Sequence, residues 1–268
     1  MKQTAVFLDY LNEHLLSDTF STIILYIFSN KMKIPSMTIN ELAEATYVTP
    51  STITRFCRQF GFRSYLELKD VISSENRTDP TRLFRLSKEE FSTITSTPST
   101  SFETFGNRII ESIQDTLATV DISMIDQFIQ LLNTHETIAL FGYSSSLRAA
   151  RSLQEGLLLS EKVTYMANND TLQRQLTKEL DETSLAIIIS SYGNFFSNRS
   201  EVFDQILASN CQILLLTQQR DNFVSASIDH IFCINSKSFE KVGSYSTSFF
   251  IDFLCRRYFD LTLKQKQG

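Results

Sequence analysis

The stretch Thr38-Ile39-Asn40-Glu41-Leu42-Ala43-Glu44-Ala45-Thr46-Tyr47-Val48-Thr49-Pro50-Ser51-Thr52-Ile53-Thr54-Arg55-Phe56 decides how the first part of the chain is read. Thr38 with Glu41 three residues on is a capping box, and Ile39, Leu42 and Ala43 supply the apolar side of a short helix behind it. A second start signal follows at Thr49, which can cap a helix whose first position is Pro50, where a missing N–H leaves nothing unsatisfied. Two capped helices across so short a turn make a helix-turn-helix. The turn position that often carries Gly is Tyr47, for which a positive φ is uncomfortable.

Along the second helix Ile53, Phe56, Cys57 and Phe60 fall on one side at helical spacing, and Gly61 ends the run. Ser51, Arg55 and Arg58 occupy the centre of the other side, flanked by Thr52, Thr54 and Gln59. An apolar face would hold this helix on its own domain while short polar and guanidinium side chains meet base edges and phosphates in a major groove. The candidate DNA contacts are Ser51, Thr52, Thr54, Arg55, Arg58 and Arg63. An ordinary helical hairpin with solvated charges is the alternative, since the bare pattern matches often by chance. Two caps, a short turn and a basic outer face together favour DNA.

The 268 residues, 42% of them hydrophobic, suffice for one large or two ordinary domains with real cores. A net charge of −5 argues against coating nucleic acid by bulk charge, so DNA contact must come from a local basic face, which Arg55, Arg58, Arg63 and Lys69 provide. Cys57, Cys211, Cys233 and Cys255 are far apart in apolar contexts without a C-x-x-C pair, which reads as buried thiols in a reducing compartment. The start runs into Asp9, Glu13 and His14 rather than a signal-peptide core, and no apolar run approaches membrane-spanning length. The expectation is a cytoplasmic protein without a membrane segment, metal or cofactor; His14 and His135 have no metal-ligand spacing.

An amphipathic opening from about Val6 to Phe28, carrying Phe7, Leu8, Leu11, Leu15, Ile23, Ile24 and Ile27, predicts helices that pack on the helix-turn-helix. Tyr65, Leu66, Leu68 and Ile72 continue a helical pattern, closing a first domain over 1–75. The chain then turns rich in Ser, Thr and Pro, with Pro80 and Pro98, which reads as a linker over 76–104 in which Leu83, Phe84 and Leu86 offer a short helical contact. Two helical patterns between Phe105 and Leu132 open a second domain over 105–268. Short apolar runs at Thr137–Gly142, Val163–Met166, Leu185–Ser190, Gln212–Thr217 and Ile231–Ile234 alternate with helix-length segments, and a packing helix runs from about Ser244 to Leu263. The fold class expected is an all-α helix-turn-helix domain joined to a three-layer α/β domain with a five-stranded parallel sheet.

In an open parallel sheet, ligands sit at the carboxyl ends of the strands, where helix N-termini aim their N–H groups. Gly142-Tyr143-Ser144-Ser145-Ser146 follows the first strand there, and Ser190-Ser191-Tyr192-Gly193-Asn194 the third. Small hydroxyl side chains suit a phosphate, and serine runs equally serve as plain helix caps. The candidate ligand residues are Gly142, Ser144, Ser145, Ser146, Ser190, Ser191, Gly193 and Asn194.

Ile39 to Lys69, with Leu42-Ala43-Glu44, Thr52-Ile53, Arg55-Phe56-Cys57, Gly61-Phe62 and Glu67-Leu68-Lys69, resembles the N-terminal domain of the RpiR-type family of bacterial transcriptional regulators. The order of helix-turn-helix, polar linker and α/β domain extends the resemblance over nearly the whole chain, the second domain being similar to the sugar isomerase (SIS) domain. The resemblance implies a DNA-binding regulator, tied to carbohydrate use, that answers to a phosphosugar held by a G-x-G-x-S loop and an S-x-S-G-x-T loop. Gly142 and Ser146 match the first loop, with Ser144 in place of its second Gly; Ser190 and Gly193 match the second, with Tyr192 for a Ser and Phe195 for the Thr. Each lost charge-assisted hydrogen bond is worth roughly 1.5–3 kcal/mol, so these departures leave two readings open: a changed ligand, or a pocket retained for dimerisation alone.

The implied partners are a double-stranded DNA operator, a small-molecule ligand of the sugar-phosphate class, and a second copy of the chain in a homodimer or higher homo-oligomer. A phosphosugar isomerase would need a base and partner, for which Glu155, Glu240 and His230 are the candidates near strand ends. Each has an ordinary surface or strand-edge explanation, and no catalytic residue is assigned.

Overall fold

The computed structural model describes residues 5–14, 18–77, 86–219 and 227–267. The chain divides into two compact units, residues 1–84 and 85–268. Pro80, Leu83 and Phe84, expected to lie in a linker, and Leu15, expected in the first helix pair, fall outside the described residues.

The described residues of the first unit form α1 (Ala5–His14), α2 (Thr19–Ser29), a 3-10 turn at Ile34–Ser36, α3 (Ile39–Ala45), α4 (Pro50–Gln59) and α5 (Tyr65–Asn76), without a strand. Asp18 starts α2 by accepting the N–H groups of Phe20 at 2.6 Å and Ser21 at 3.0 Å. The core gathers Phe7, Ile23, Ile24, Ile27, Leu42, Ile53, Phe56, Cys57, Leu68 and Ile72. Phe60 closes it with its ring edge-on to Phe7 at 4.9 Å. Leu8, expected on the apolar side, is exposed.

The second unit opens with α6 (Lys88–Ser96), α7 (Pro98–Thr119) and α8 (Ile122–Thr134). Much of the stretch expected as linker is therefore helical. Ser87 and Glu90 form a capping box at the start of α6, and Pro98 occupies the first turn of α7, where proline starts a helix instead of breaking one. Glu90 holds this region by accepting from Lys241 at 2.9 Å and Arg108 at 3.3 Å.

Five parallel strands follow in the order β2-β1-β3-β4-β5: β1 (Ile138–Gly142), β2 (Tyr165–Met166), β3 (Leu185–Ile189), β4 (Gln212–Thr217) and β5 (His230–Cys233). Among the described residues the α-helices between them are α9 (Ser145–Leu158), α10 (Asp170–Leu176), α11 (Asn194–Asn198) and α12 (Ser200–Ala208), and α13 (Tyr245–Gln267) follows β5. The strand period of two sorts side chains to opposite faces. Ile138, Leu140, Ile187 and Leu214 pack with α8, α9 and α13, whereas Ala139, Phe141, Ile188 and Leu215 pack with α12. The result is the three-layer α/β arrangement expected. The strand order reverses between β1 and β3, which places a crevice at their carboxyl ends.

Candidate functional site

In the first unit, Thr38 accepts the Glu41 N–H at 3.2 Å while Glu41 accepts the Thr38 N–H at 2.6 Å, so the expected capping box is formed. The helix ends in a Schellman motif: Val48 N–H reaches Ala43 O at 2.8 Å and Tyr47 N–H reaches Glu44 O at 3.1 Å. Tyr47 stands at its left-handed position with φ 56°. Thr49 then caps α4 by accepting the Thr52 N–H at 3.3 Å. The same motif closes α4, with Phe62 N–H on Cys57 O at 2.9 Å and Gly61 at φ 79°.

Ile53, Phe56 and Cys57 are fully buried, and their opposite face carries the candidates to solvent. Ser51, Thr54, Arg55 and Arg58 are exposed and Thr52 is half-buried. Two of the hydroxyls have local tasks: Thr54 donates to Pro50 O at 3.1 Å, and Thr52 pairs with the cap Thr49 at 3.0 Å. The Arg55 guanidinium lies 5.8 Å from the centre of the Phe20 ring. Arg63 lies past the end of α4 and is tied to Glu67 at 3.4 Å, so it is set apart from the α4 face. Burial pushes the Cys57 thiol up to about 11, which keeps it neutral and inert in the core.

In the second unit the two serine loops lie at the crevice expected for them. Gly142 ends β1 against the start of α9: a Cβ there would stand 3.1 Å from the carbonyl carbon of Ser146. Gln173 braces this strand end by donating to Gly142 O at 3.0 Å. Tyr143 to Ser146 form a tight turn, with Ser146 N–H on Tyr143 O at 3.2 Å. Ser144 sits in it at φ 56° and ψ −119°, the first central position of a type II′ turn, which favours glycine.

Five side chains from four segments then form one hydrogen-bonded chain. Ser244 donates to Ser145 at 3.4 Å, Ser191 Oγ lies 3.3 Å from Ser244 Oγ and 2.9 Å from Thr247 Oγ1, and Thr247 Oγ1 lies 2.9 Å from Gln218 Oε1, each hydroxyl having one proton to give along the chain. The loops after β1, β3 and β4 thereby meet the N-terminal end of α13. Ser191, Thr247 and Gln218 are buried, and Gln218 Nε2 has no hydrogen-bond partner among the described residues. Asn235, after β5, and Ser246, on α13, both donate to Ser112 O of α7 at 3.0 Å, which fixes the helix end.

The remaining candidates fare differently. Ser190 accepts the Phe195 N–H at 3.2 Å, a capping role for α11, and Ser146 is buried. Gly193 has φ 74° at the start of α11, and Asn194 is half-buried beside it. The Tyr192 hydroxyl donates to Phe239 O at 3.1 Å and to Gly243 O, so the ring straps the β3 loop to the segment before α13. Sequence reasoning missed Gln218, Ser244 and Thr247. Ser244 was visible as a helix start, but its neighbours across the crevice were not.

Of the general-base candidates, His230 begins β5 and Glu155 lies late in α9, paired with Arg151 at 2.8 Å. Strand starts and the far ends of the following helices lie at the edge of the sheet opposite the serine loops. Glu240 lies within the segment strapped by Tyr192 and is exposed. Among the described residues, no group of three or more His, Cys, Asp or Glu is placed to hold a metal, and no helix is long and apolar enough to cross a membrane.

Residues 9–78 match the helix-turn-helix domain of the rpiR family. An HTH-type transcriptional regulator of Providencia stuartii is 25% identical over 63% of this chain, which spans 58% of that relative's length. Among solved structures, Vibrio vulnificus NanR complexed with ManNAc-6P aligns over 99% of this chain and 94% of its own, at 14% identity and a TM-score of 0.53. The sugar isomerase domain of an RpiR transcription factor from Sphaerobacter thermophilus aligns over 64% of this chain and 98% of its own, at 15% identity and a TM-score of 0.50. The N-terminal domain of this chain thus belongs to the rpiR family of helix-turn-helix domains, and the α/β unit that follows it has the fold of a sugar isomerase domain.

Proposed function

We propose that this protein is a DNA-binding transcriptional regulator whose α/β unit binds a ligand of the sugar-phosphate class. The observation that carries the reading is the division of α4, with Ile53, Phe56 and Cys57 buried and Ser51, Arg55 and Arg58 presented outward behind a formed cap. That is the arrangement by which a recognition helix is held on its domain and offered to a major groove. The relative from Providencia stuartii carries the same regulator description.

The hydroxyl chain at the crevice supports the ligand. It offers short donors and acceptors beside the starts of α9 and α13, groups that would hold a phosphate through hydroxyls, amides and helix N-termini. Gln218 Nε2 adds a buried donor in need of an acceptor. The sugar phosphate in the NanR structure belongs to the same chemical class. The protein acts as a cytoplasmic homodimer on a two-fold operator, with half-sites about 34 Å apart, and performs no catalysis: Glu155 and His230 lie at the far edge of the sheet, and Glu240, on the segment strapped by Tyr192, is exposed to solvent.

A second reading is favoured by Tyr192 and Ser190. Their hydroxyls are engaged within the protein, as a pocket kept for dimerisation alone would have them. Anisotropy titration of the purified protein on DNA upstream of its own and neighbouring genes, with and without a panel of sugar phosphates, separates the readings. Specific, salt-sensitive binding changed by one compound supports the sensing regulator; specific binding indifferent to the panel supports the second reading; no specific binding overturns both.

A further inference from the structure

We propose that Tyr47 is a DNA-contacting residue, an aromatic arm held at the entrance of α4 to reach the sugar–phosphate backbone beside the bases that α4 reads. The inference rests on the DNA-binding reading above and adds to it a residue outside the recognition helix.

The two helices of the motif end in the same way, in Schellman motifs whose left-handed residue is Tyr47 in one and Gly61 in the other. Glycine adopts that backbone freely, whereas a Cβ meets the following carbonyl. Nothing in the fold explains why tyrosine occupies the first of these positions. Its side chain is 96% exposed, so burial does not offset the backbone cost. Its hydroxyl makes no hydrogen bond among the described residues. A strained residue that its own domain does not use points to a use outside the chain.

Its place in the motif indicates which use. Tyr47 stands two residues before the Thr49 cap and four before Ser51, the first outward residue of α4, so it flanks the end of the helix that would enter the groove. Phosphates line both sides of a groove, and tyrosine hydroxyls are among the groups that position a protein on them. With its side chain exposed, the ring is free to lie against a deoxyribose while the hydroxyl donates to a phosphate oxygen. Being neutral, the contact releases no counterion.

The test uses the full chain, a DNA duplex from upstream of its own gene, and anisotropy over a salt series, with calorimetry alongside. Tyr47→Gly should raise the melting temperature by about 4 °C, as the strain is relieved, and weaken specific binding about tenfold. The slope of log affinity against log salt should stay as in wild type. Tyr47→Asn, which tolerates left-handed backbone and keeps a Cβ, should also lose affinity, and Tyr47→Phe should lose part of it. A residue with only a structural role would not move stability and binding in opposite directions. Wild-type affinity in both Tyr47→Gly and Tyr47→Asn would overturn the inference and leave the DNA-binding reading standing. Absence of specific binding by the wild type would overturn that reading and the inference with it.

Discussion

Gly156 of α9 lies directly against Cys255 of α13: a Cβ on Gly156 would stand 2.8 Å from the Cβ of Cys255 and nearer still to its Sγ. The two helices cover one face of the sheet together, and α13 brings Thr247 to the crevice with Ser244 just ahead of its first turn. Their spacing therefore bears on the site. Gly156→Ala should push the helices apart and destabilise the protein by about 1–3 kcal/mol, read by thermal or urea unfolding. Cys255→Ala in the same chain should recover part of the loss. Burial pushes the Cys255 thiol up to about 11, so it should resist alkylation in the native protein at neutral pH.

The arginines should separate by position. Arg58→Ala should weaken DNA binding across sequences and lower the salt slope by about 1, as expected for loss of a phosphate contact. Arg55→Ala should weaken specific binding most, because Arg55 lies at the centre of the outward face. Arg63, tied to Glu67 beyond the end of α4, should matter least. Anisotropy titrations over a salt series read all three, and an Arg55→Ala protein that binds its operator as wild type does would show that the reading face is misplaced.

Ser191→Ala removes the link between Ser244 and Thr247. Loss of these hydrogen bonds should cost about 1 kcal/mol of stability and loosen the crevice. Its sharper effect should be on ligand response. A compound at 100 times its dissociation constant stabilises the wild type by roughly 2.7 kcal/mol, and most of that thermal shift should disappear in the variant. DNA affinity without ligand should be unchanged.

The Lys241 ammonium and the Ser87 N–H hold the Glu90 carboxyl down at about 2 against an ordinary 4.5. A depressed carboxyl contributes stability above the unfolded value, and that contribution is lost as pH falls from about 4.5 toward 2. Glu90→Gln should accordingly be less stable than wild type at pH 7, with the difference vanishing near pH 2. Urea unfolding of both proteins across that range checks the sign.

Local signals made most of the fold legible. The capping box at Thr38, the cap at Thr49 with Pro50, and the apolar strand runs each depend on residues a few positions apart, and each forms where expected. The helices within the Ser- and Thr-rich stretch were harder to read. Composition suggested a linker, but the reciprocal cap of Ser87 and Glu90 and the ion pairs of Glu90 with Lys241 and Arg108 favour a helix, and two of those partners are distant in sequence. The substitution of Ser144 for a glycine was visible as a departure from the family loop, whereas the positive φ it must adopt became apparent only with the turn in place.

Caps, helical spacing and strand alternation are short-range properties that the chain states locally, so the two-part architecture, the polar face of α4 and the serine loops could all be read along the sequence. Which hydroxyls stand together is a long-range outcome. Ser145, Ser191, Gln218, Ser244 and Thr247 come from segments separated by up to about a hundred residues and meet because the strand order reverses between β1 and β3 while α13 packs back against α9. Folding in three dimensions likewise settled that Tyr192 closes a strap and that Tyr47 stands free, since a side chain's neighbours are set by the packing of whole elements and not by the residues beside it.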